Sequence, residues 1–396
     1  MKNSSSASTF SELSDIWETV DVRKSSDGRF ISEILEKAGV EVNGNRPYDI
    51  KIYSEGLINR VLSQGSLGLG EAYMDRHWDS DSLDQFFCKI LLARLDKQLS
   101  PSKLIYHGIK SKLLNLQSIK RSWQVGLQHY DIGNKFYESM LDKRMTYTCG
   151  YWSSGAKNLE EAQEAKLDLI CRKLELKPGM RLLDIGCGWG SLMGYAAEHY
   201  DVSCVGVTIS KEQAEYGRTK YKDLPIEFRL EDYRSLDDKF DRIASIGMFE
   251  HVGQKNYQEY MEVVHRCLSN DGLFLLHTIG KNVKGTPSDP WIDKYIFPNG
   301  ILPAMSEIND AIGELFIIED VHNFGADYDK TLMAWHENFI NSWHHFSEEM
   351  DEKFFRMWNY YLLSCAGAFR ARDIQLWQFV LSKHGIPGGY SIPQYK

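Results

Sequence analysis

Apolar positions follow two different patterns on either side of residues 97–121. Between residues 15 and 95 the patterning is mixed, and it includes a glycine-rich stretch, SQGSLGLGEAYMDRHWDS at 63–80. Its spaced glycines follow no clear strand and complete no phosphate-binding pattern, so they read as turn residues. Trp78 and the pair Phe86 and Phe87 then read as packing for a small α-rich unit. Further along, short apolar runs alternate with longer amphipathic stretches. The runs RLLDI at 181, SCVGV at 203, IEFRL at 226, DRIASI at 241, LFLLH at 273 and LFIIED at 315 predict strands. The stretches near 190–199, 211–222, 255–268 and 306–313 predict helices. This alternation predicts an α/β fold, a doubly wound and mostly parallel sheet covered on both faces, with ligands at the carboxyl ends of its strands.

The segment between the two patterns carries Lys97, Lys103, Lys110, Lys112, Lys120 and Arg121 and no acidic residue. Leu104, Ile105, Ile109, Leu113, Leu114 and Ile119 are interleaved with them. That composition fits a basic amphipathic segment on an anionic membrane surface, and it fits a solvated linker helix as well. It divides the chain into a small N-terminal unit at 1–96 beginning with a polar tail, a basic linker at 97–121, and a larger unit at 122–396. Across all 396 residues, 43% hydrophobic and 26% charged is the usage of an ordinary soluble protein. A net charge of −9 argues against a nucleic-acid partner. MKNSSSASTF lacks the apolar stretch of a signal peptide, and no run approaches the roughly 18 apolar residues of a spanning helix. Seven cysteines, with no CxxC pair and no regular spacing, suggest neither a metal site nor a disulfide framework. Reduced thiols in a cytoplasm are the expectation.

The first predicted strand of the sheet runs directly into LLDIGCGWGS at 182–191. Bare glycine backbone at Gly186, Gly188 and Gly190 lets a ligand lie close, and the helix that follows offers unpaired N–H groups. Position 191 is Ser, so the GxGxxG dinucleotide pattern is not met. The strand, Asp184 and GxGxG together resemble motif I of class I methyltransferases that bind S-adenosylmethionine, which implies contacts from Asp184, Gly186, Cys187, Gly188 and Gly190. Where many members of that superfamily end the second strand with a ribose-binding carboxylate, this chain reads CVGVTISKEQ and offers Thr208 and Gln213 instead. Asp232 and Tyr233, in EDYRSL after the third strand, are placed to meet the adenine.

Longer blocks then narrow the resemblance. HYDIGNKFYESML (129–141), MTYTCGYW (145–152), VGVTISKEQ, MFEHVG (248–253), LLHTIG (275–280), DYDKTLMAWHENF (327–339) and SCAGAFRARDIQLWQF (364–379) resemble cyclopropane fatty acid synthases in content and order. The resemblance runs from about residue 60 and includes the N-terminal domain of the bacterial, phospholipid-modifying kind. It implies transfer of the S-adenosylmethionine methyl group to the cis double bond of an acyl chain in membrane phospholipid, then deprotonation to close a cyclopropane ring. It also implies that Tyr147 and Thr148 contact the cofactor, and that Cys149, Glu250, His277, Tyr328 and the backbone at Ile279 hold a bicarbonate ion acting as base. Cys365 is a second thiol in a matching block. A homodimer, peripheral at the membrane's inner face, is likewise implied. Such chemistry needs a dry pocket and an anion held by donors, because a positive charge develops on carbon. Glu250 lies just beyond the fourth strand, His277 at the end of the fifth, and Tyr328 in the following loop. WHENFINSWHHF and FFRMWNYYLL fit either the walls of an acyl tunnel or helical core packing. Two other readings remain open: methylation of a sterol, amine or other small acceptor, and a catalytically silent lipid-binding protein.

Overall fold

A computed structural model describes residues 18–94 and 133–393. The basic segment 97–121 lies outside the described residues. The N-terminal part is built from α1 (Ser26–Lys37), α2 (Gly56–Gln64), α3 (Ser66–Met74) and α4 (Leu83–Leu92), with a two-stranded ribbon of β1 (Lys51–Ile52) and β2 (Trp78–Asp79). The glycine-rich stretch read as turns is largely helix α3. Its glycines permit close packing, since a Cβ on Gly68 would stand 2.2 Å from the Arg60 carbonyl oxygen and one on Gly70 2.4 Å from the Trp291 ring. What the sequence disguised as flexibility is the absence of side chains where two elements touch.

After α5 (Asn134–Met140) and α6 (Leu159–Lys173) the chain enters a seven-stranded sheet. It comprises β3 (Arg181–Ile185), β4 (Ser203–Thr208), β5 (Ile226–Leu230), β6 (Phe240–Ile246), β7 (Leu268–Lys281), β8 (Ile317–Asn323) and β9 (Ile374–Ser382), in the order β5-β4-β3-β6-β7-β9-β8. The first five in that order are parallel. β9 runs antiparallel to both neighbours. This apolar strand was not among the predicted ones, because IQLWQFVLS is apolar on both faces and buried nearly throughout, leaving no alternation to read. The intervening helices are α7 (Ser191–Tyr200), α8 (Lys211–Lys220), α9 (Tyr257–Cys267), α10 (Pro290–Tyr295) and α11 (Met305–Ile312). α12 (Ala326–Ser342) and α13 (Glu352–Arg370) follow β8.

Alternate residues divide between two cores. Leu183, Ile185, Ile243, Phe274 and Leu276 pack with Met261 and Val264 of α9. Leu182, Cys204, Ala244 and Leu275 pack with Ile170 of α6 and Met193 of α7. A third core joins Ile58, Trp78 and Phe86 to Phe136, Phe339, Trp358 and Leu362, so the N-terminal helices and α12–α13 share one apolar interior. The stretches weighed as tunnel walls are these last two helices. Their aromatics pack on one another, with Phe339 5.3 Å from Phe355, and on α5, with Phe136 5.1 Å from Trp358. Arg356 sews the two parts together, donating to the Tyr73 and Trp78 carbonyls and pairing with Asp79 at 2.9 Å. Arg370 bridges Asp84 of α4 and Asp329 of α12.

Candidate active site

The strand order reverses between β3 and β6, and the crevice beyond their carboxyl ends is where a doubly wound sheet binds ligands. Gly186 closes β3 with φ +81°, and an added Cβ would meet the Met248 side chain at 2.6 Å. A Cβ on Gly190 (φ +89°) would strike Phe228 at 2.5 Å, whereas one on Gly188 would meet nothing within 4 Å. Two of the three glycines therefore hold the loop tight, and the third leaves its open face bare. The Gly186 and Cys187 amides both donate to the Val207 carbonyl, which fixes the loop on β4. Gly190 begins α7 without any capping side chain, so the first N–H groups of that helix remain for a ligand. The Cys187 side chain points into the core, where its sulfur would meet a Cβ on Gly206 at 2.7 Å.

Other predicted cofactor residues are engaged locally. Thr208 Oγ1 donates to Gln213 Oε1 at 3.1 Å, pairing the two groups expected from the sequence to replace a ribose carboxylate. Asp232 binds the Arg234 backbone and guanidinium at 3.0 and 2.9 Å, while the Tyr233 ring is buried edge-on against Tyr260. Asp184 is buried, and its Oδ1 has no hydrogen-bond partner among the described residues. Burial raises its carboxyl to about 7, with Lys166 opposing that rise.

Lys166, absent from the sequence prediction, is fully buried on α6 and donates to Thr148 Oγ1 at 2.8 Å. Burial lowers its ammonium to about 8, although Asp142, Cys149 and Asp184 pull the other way. A signal for it existed in the helix LEEAQEAKLDLICRK, where Gln163 and Lys166 share a face with Ile170. Thr148 also touches the end of β6, since a Cβ on Gly247 would stand 2.8 Å from its methyl.

The TYTCGYW stretch is stitched down by α12. Thr331 Oγ1 accepts from the Gly150 amide and from Trp152 Nε1, both at 3.0 Å, and lies 3.9 Å from Cys149 Sγ. Asp327 accepts from the Ser153 amide and hydroxyl at 2.7 and 3.0 Å. Tyr147 places its hydroxyl 3.0 Å from that of Tyr361. Tyr328 lies in the first turn of α12 and not in a loop, stacked on Phe369 at 4.4 Å. Burial first, and then Cys149, Glu250, Tyr147 and Cys365 nearby, raise its phenol well above the usual range. Those five predicted residues thus share one electrostatic neighbourhood.

Glu250, on the turn after β6, accepts from the Ile279 amide at 2.6 Å through Oε1. Its Oε2 is buried without a partner among the described residues. Burial raises this carboxyl to about 7, with the Ile279 amide, its own amide and the Thr278 hydroxyl acting against it. His277, two residues before Ile279 on β7, is buried with Nε2 equally unpartnered. Desolvation, followed by Lys166, Lys173 and His322, keeps its imidazole well below the ordinary pKa and hence neutral. Cys365 is raised to about 12 by burial, and Cys149 is also pushed well up by burial, so neither is a thiolate nucleophile at neutral pH.

The glycine loop after β3 and the buried acid after β6 flank the switch point, the neutral imidazole lies on neighbouring β7, and comparisons with known proteins agree with this arrangement. A family model described as mycolic acid cyclopropane synthetase matches residues 117–379. The chain belongs to that family. It is 53% identical over 365 residues to the cyclopropane-fatty-acyl-phospholipid synthase of Escherichia coli, covering 92% of this chain and 95% of that one. The cyclopropane synthase MmaA2 from Mycobacterium tuberculosis superposes with a TM-score of 0.63 at 33% identity, over 66% of this chain and 98% of its own. The mycolic acid cyclopropane synthase CmaA1 complexed with SAH and CTAB gives 0.61 at 35% identity, over 65% and 97%. As a member of this family the chain is an S-adenosylmethionine-dependent methyltransferase, and the glycine loop suits that cofactor: Gly188 is open and the α7 N-terminus is uncapped.

Proposed function

We propose that the chain converts cis double bonds of unsaturated acyl chains in membrane phospholipid into cyclopropane rings, with bicarbonate as the base. S-adenosylmethionine, when bound, supplies an electrophilic methyl group. As the sulfur–methyl bond breaks, one alkene carbon forms a bond to that methyl and its neighbour becomes a cation. Loss of a proton from the new methyl group lets the C–H electron pair close the second ring bond. Bicarbonate supplies the base for that proton when bound. The chain's own residues exclude water, hold the anion and stabilise nearby positive charge.

The observation that carries this reading is a pair of buried polar atoms without a hydrogen-bond partner among the described residues, Glu250 Oε2, whose carboxylate is held by the Ile279 amide, and His277 Nε2, two residues before Ile279 on β7. Near-isolated buried polar groups are costly, and an ion with both donor and acceptor oxygens satisfies them together. Burial favours the protonated form of Glu250, and a protonated carboxyl lies beside an anion with less repulsion than an ionised one.

No helix among the described residues is long and apolar enough to cross a membrane. In this reading residues 97–121 dock the enzyme on anionic lipid, each cation contributing about 1 kcal/mol. Exchanging Lys110, Lys112, Lys120 and Arg121 for Glu then weakens sedimentation with anionic vesicles, and unchanged binding refutes the docking role. A homodimer belongs to the same proposal and is tested by sedimentation equilibrium. The activity itself is tested by incubating the protein with S-adenosylmethionine, bicarbonate and vesicles of cis-monounsaturated phospholipid. A gain of one CH2 unit with loss of the double bond is expected. Unmodified acyl chains despite cofactor binding would return the acceptor to a small molecule, and an equal rate in bicarbonate-free buffer would remove bicarbonate.

A further inference from the structure

The antiparallel strand β9 brings a polar side chain to His277 from a distant part of the sequence. His277 and Gln378 are directly paired across β7 and β9, with Gln378 Nε2 3.2 Å from His277 Nδ1. They are 1% and 0% exposed, so the pairing is shielded from bulk solvent. On the far side of the ring Nε2 has no partner among the described residues, and neither has Gln378 Oε1. The ring is neutral for the reasons given above, and it therefore carries one N–H.

Two arrangements close this contact. In the first, the Gln378 amide N–H donates to bare Nδ1, and the ring proton sits on Nε2. In the second, Nδ1–H donates to the amide oxygen, which strands both amide hydrogens and the Nε2 lone pair in the interior. Each arrangement leaves two N–H groups and one acceptor unpaired, so the orphan count does not choose between them. The geometry does: the amide nitrogen, which can only donate, is the atom facing Nδ1, so Nδ1 accepts and the ring proton sits on Nε2. We propose that Gln378 is a positioning residue that fixes His277 in its Nε2–H tautomer, so that the ring offers a donor to a bound anion. Such control of one ring nitrogen by the partner of the other is the usual means by which proteins aim an imidazole. The purpose of this device rests on the bicarbonate reading, but its geometry does not.

Histidine labelled with 15N in the full chain reports the tautomer directly, and the chain's 12 histidines are resolved by difference against H277N. Spectra without bicarbonate are expected to show Nε2–H in the wild type. In Q378M and Q378L, which keep the bulk and remove the donor, an Nδ1–H population should appear. The bicarbonate concentration for half-maximal turnover should also rise about tenfold with the KM for S-adenosylmethionine unchanged. Nδ1–H in the wild type, or pure Nε2–H in a folded variant, overturns the inference. Turnover indifferent to bicarbonate, with the wild-type tautomer as expected, overturns the bicarbonate reading alone.

Discussion

Around Gly186–Gly190 the working groups are backbone amides, pinned by contacts within the sheet's first half, whereas around Glu250 and His277 they are side chains gathered from across the chain. The loop's restraints come from Val207, Phe228 and Met248. The proposed anion site draws on Cys149 beside Thr331, Glu250 beside Ile279, and His277 beside Gln378. A backbone site tolerates almost any side chain that does not intrude, while a side-chain site depends on each group's identity and burial. The first should therefore fail through binding and the second through chemistry.

The sharpest separation is expected from E250Q. Turnover should fall about 100-fold while the calorimetric affinity for S-adenosylmethionine stays put, because the proposed anion site loses its acid. Equal loss of both would show that pocket and loop are one site. G186A should do the reverse: a Cβ at φ +81° meets Met248 at 2.6 Å, and cofactor affinity should drop about tenfold or more. Retained affinity in G186A would mean that the loop is not held as described.

Stability against pH separates the regions in another way. Burial moves Glu250 from 4.5 to about 7. Between those values the folded chain holds a proton that the unfolded chain has released. The stabilisation is complete below the lower value and disappears as pH rises through the higher one, a loss on the order of 3 kcal/mol. Urea unfolding at about pH 5 and about pH 8 should show a smaller fall in E250Q than in the wild type, and parallel slopes would contradict the buried acid. Asp184 is unchanged between the two proteins and cancels. Away from both regions, G70A should cost about 1–3 kcal/mol by driving α3 against Trp291, with no change in KM for the cofactor. C365S should leave turnover unaltered, since a thiol near 12 is not ionised at neutral pH; a large loss would give that sulfur a direct role.

The contrast also explains what could be read from the sequence. Six of the sheet's seven strands, β3 to β8, and four of its helices follow from apolar periodicity, and the glycine loop announces itself because its residues are adjacent. β9 did not, being buried on both faces. α3 was missed because glycines that serve close packing look the same in sequence as glycines that serve a turn. In the pocket, Glu250, His277 and Tyr328 were named through resemblance to a family, since nothing local distinguishes them from core residues. Lys166, Thr331 and Gln378 act through contacts more than a dozen positions away, and their partners appear only when the sheet is assembled.

The place of β9 also orders events in time. It follows β8 in the chain yet inserts between β7 and β8, so Gln378 leaves the ribosome about a hundred residues after the histidine it contacts. Vectorial synthesis would therefore build the methyl-donor cradle well before the imidazole acquires its partner. Nascent chains stalled ahead of residue 374 are expected to retain S-adenosylmethionine while producing no ring, and retention only after β9 has emerged would show that the sheet matures in a single step.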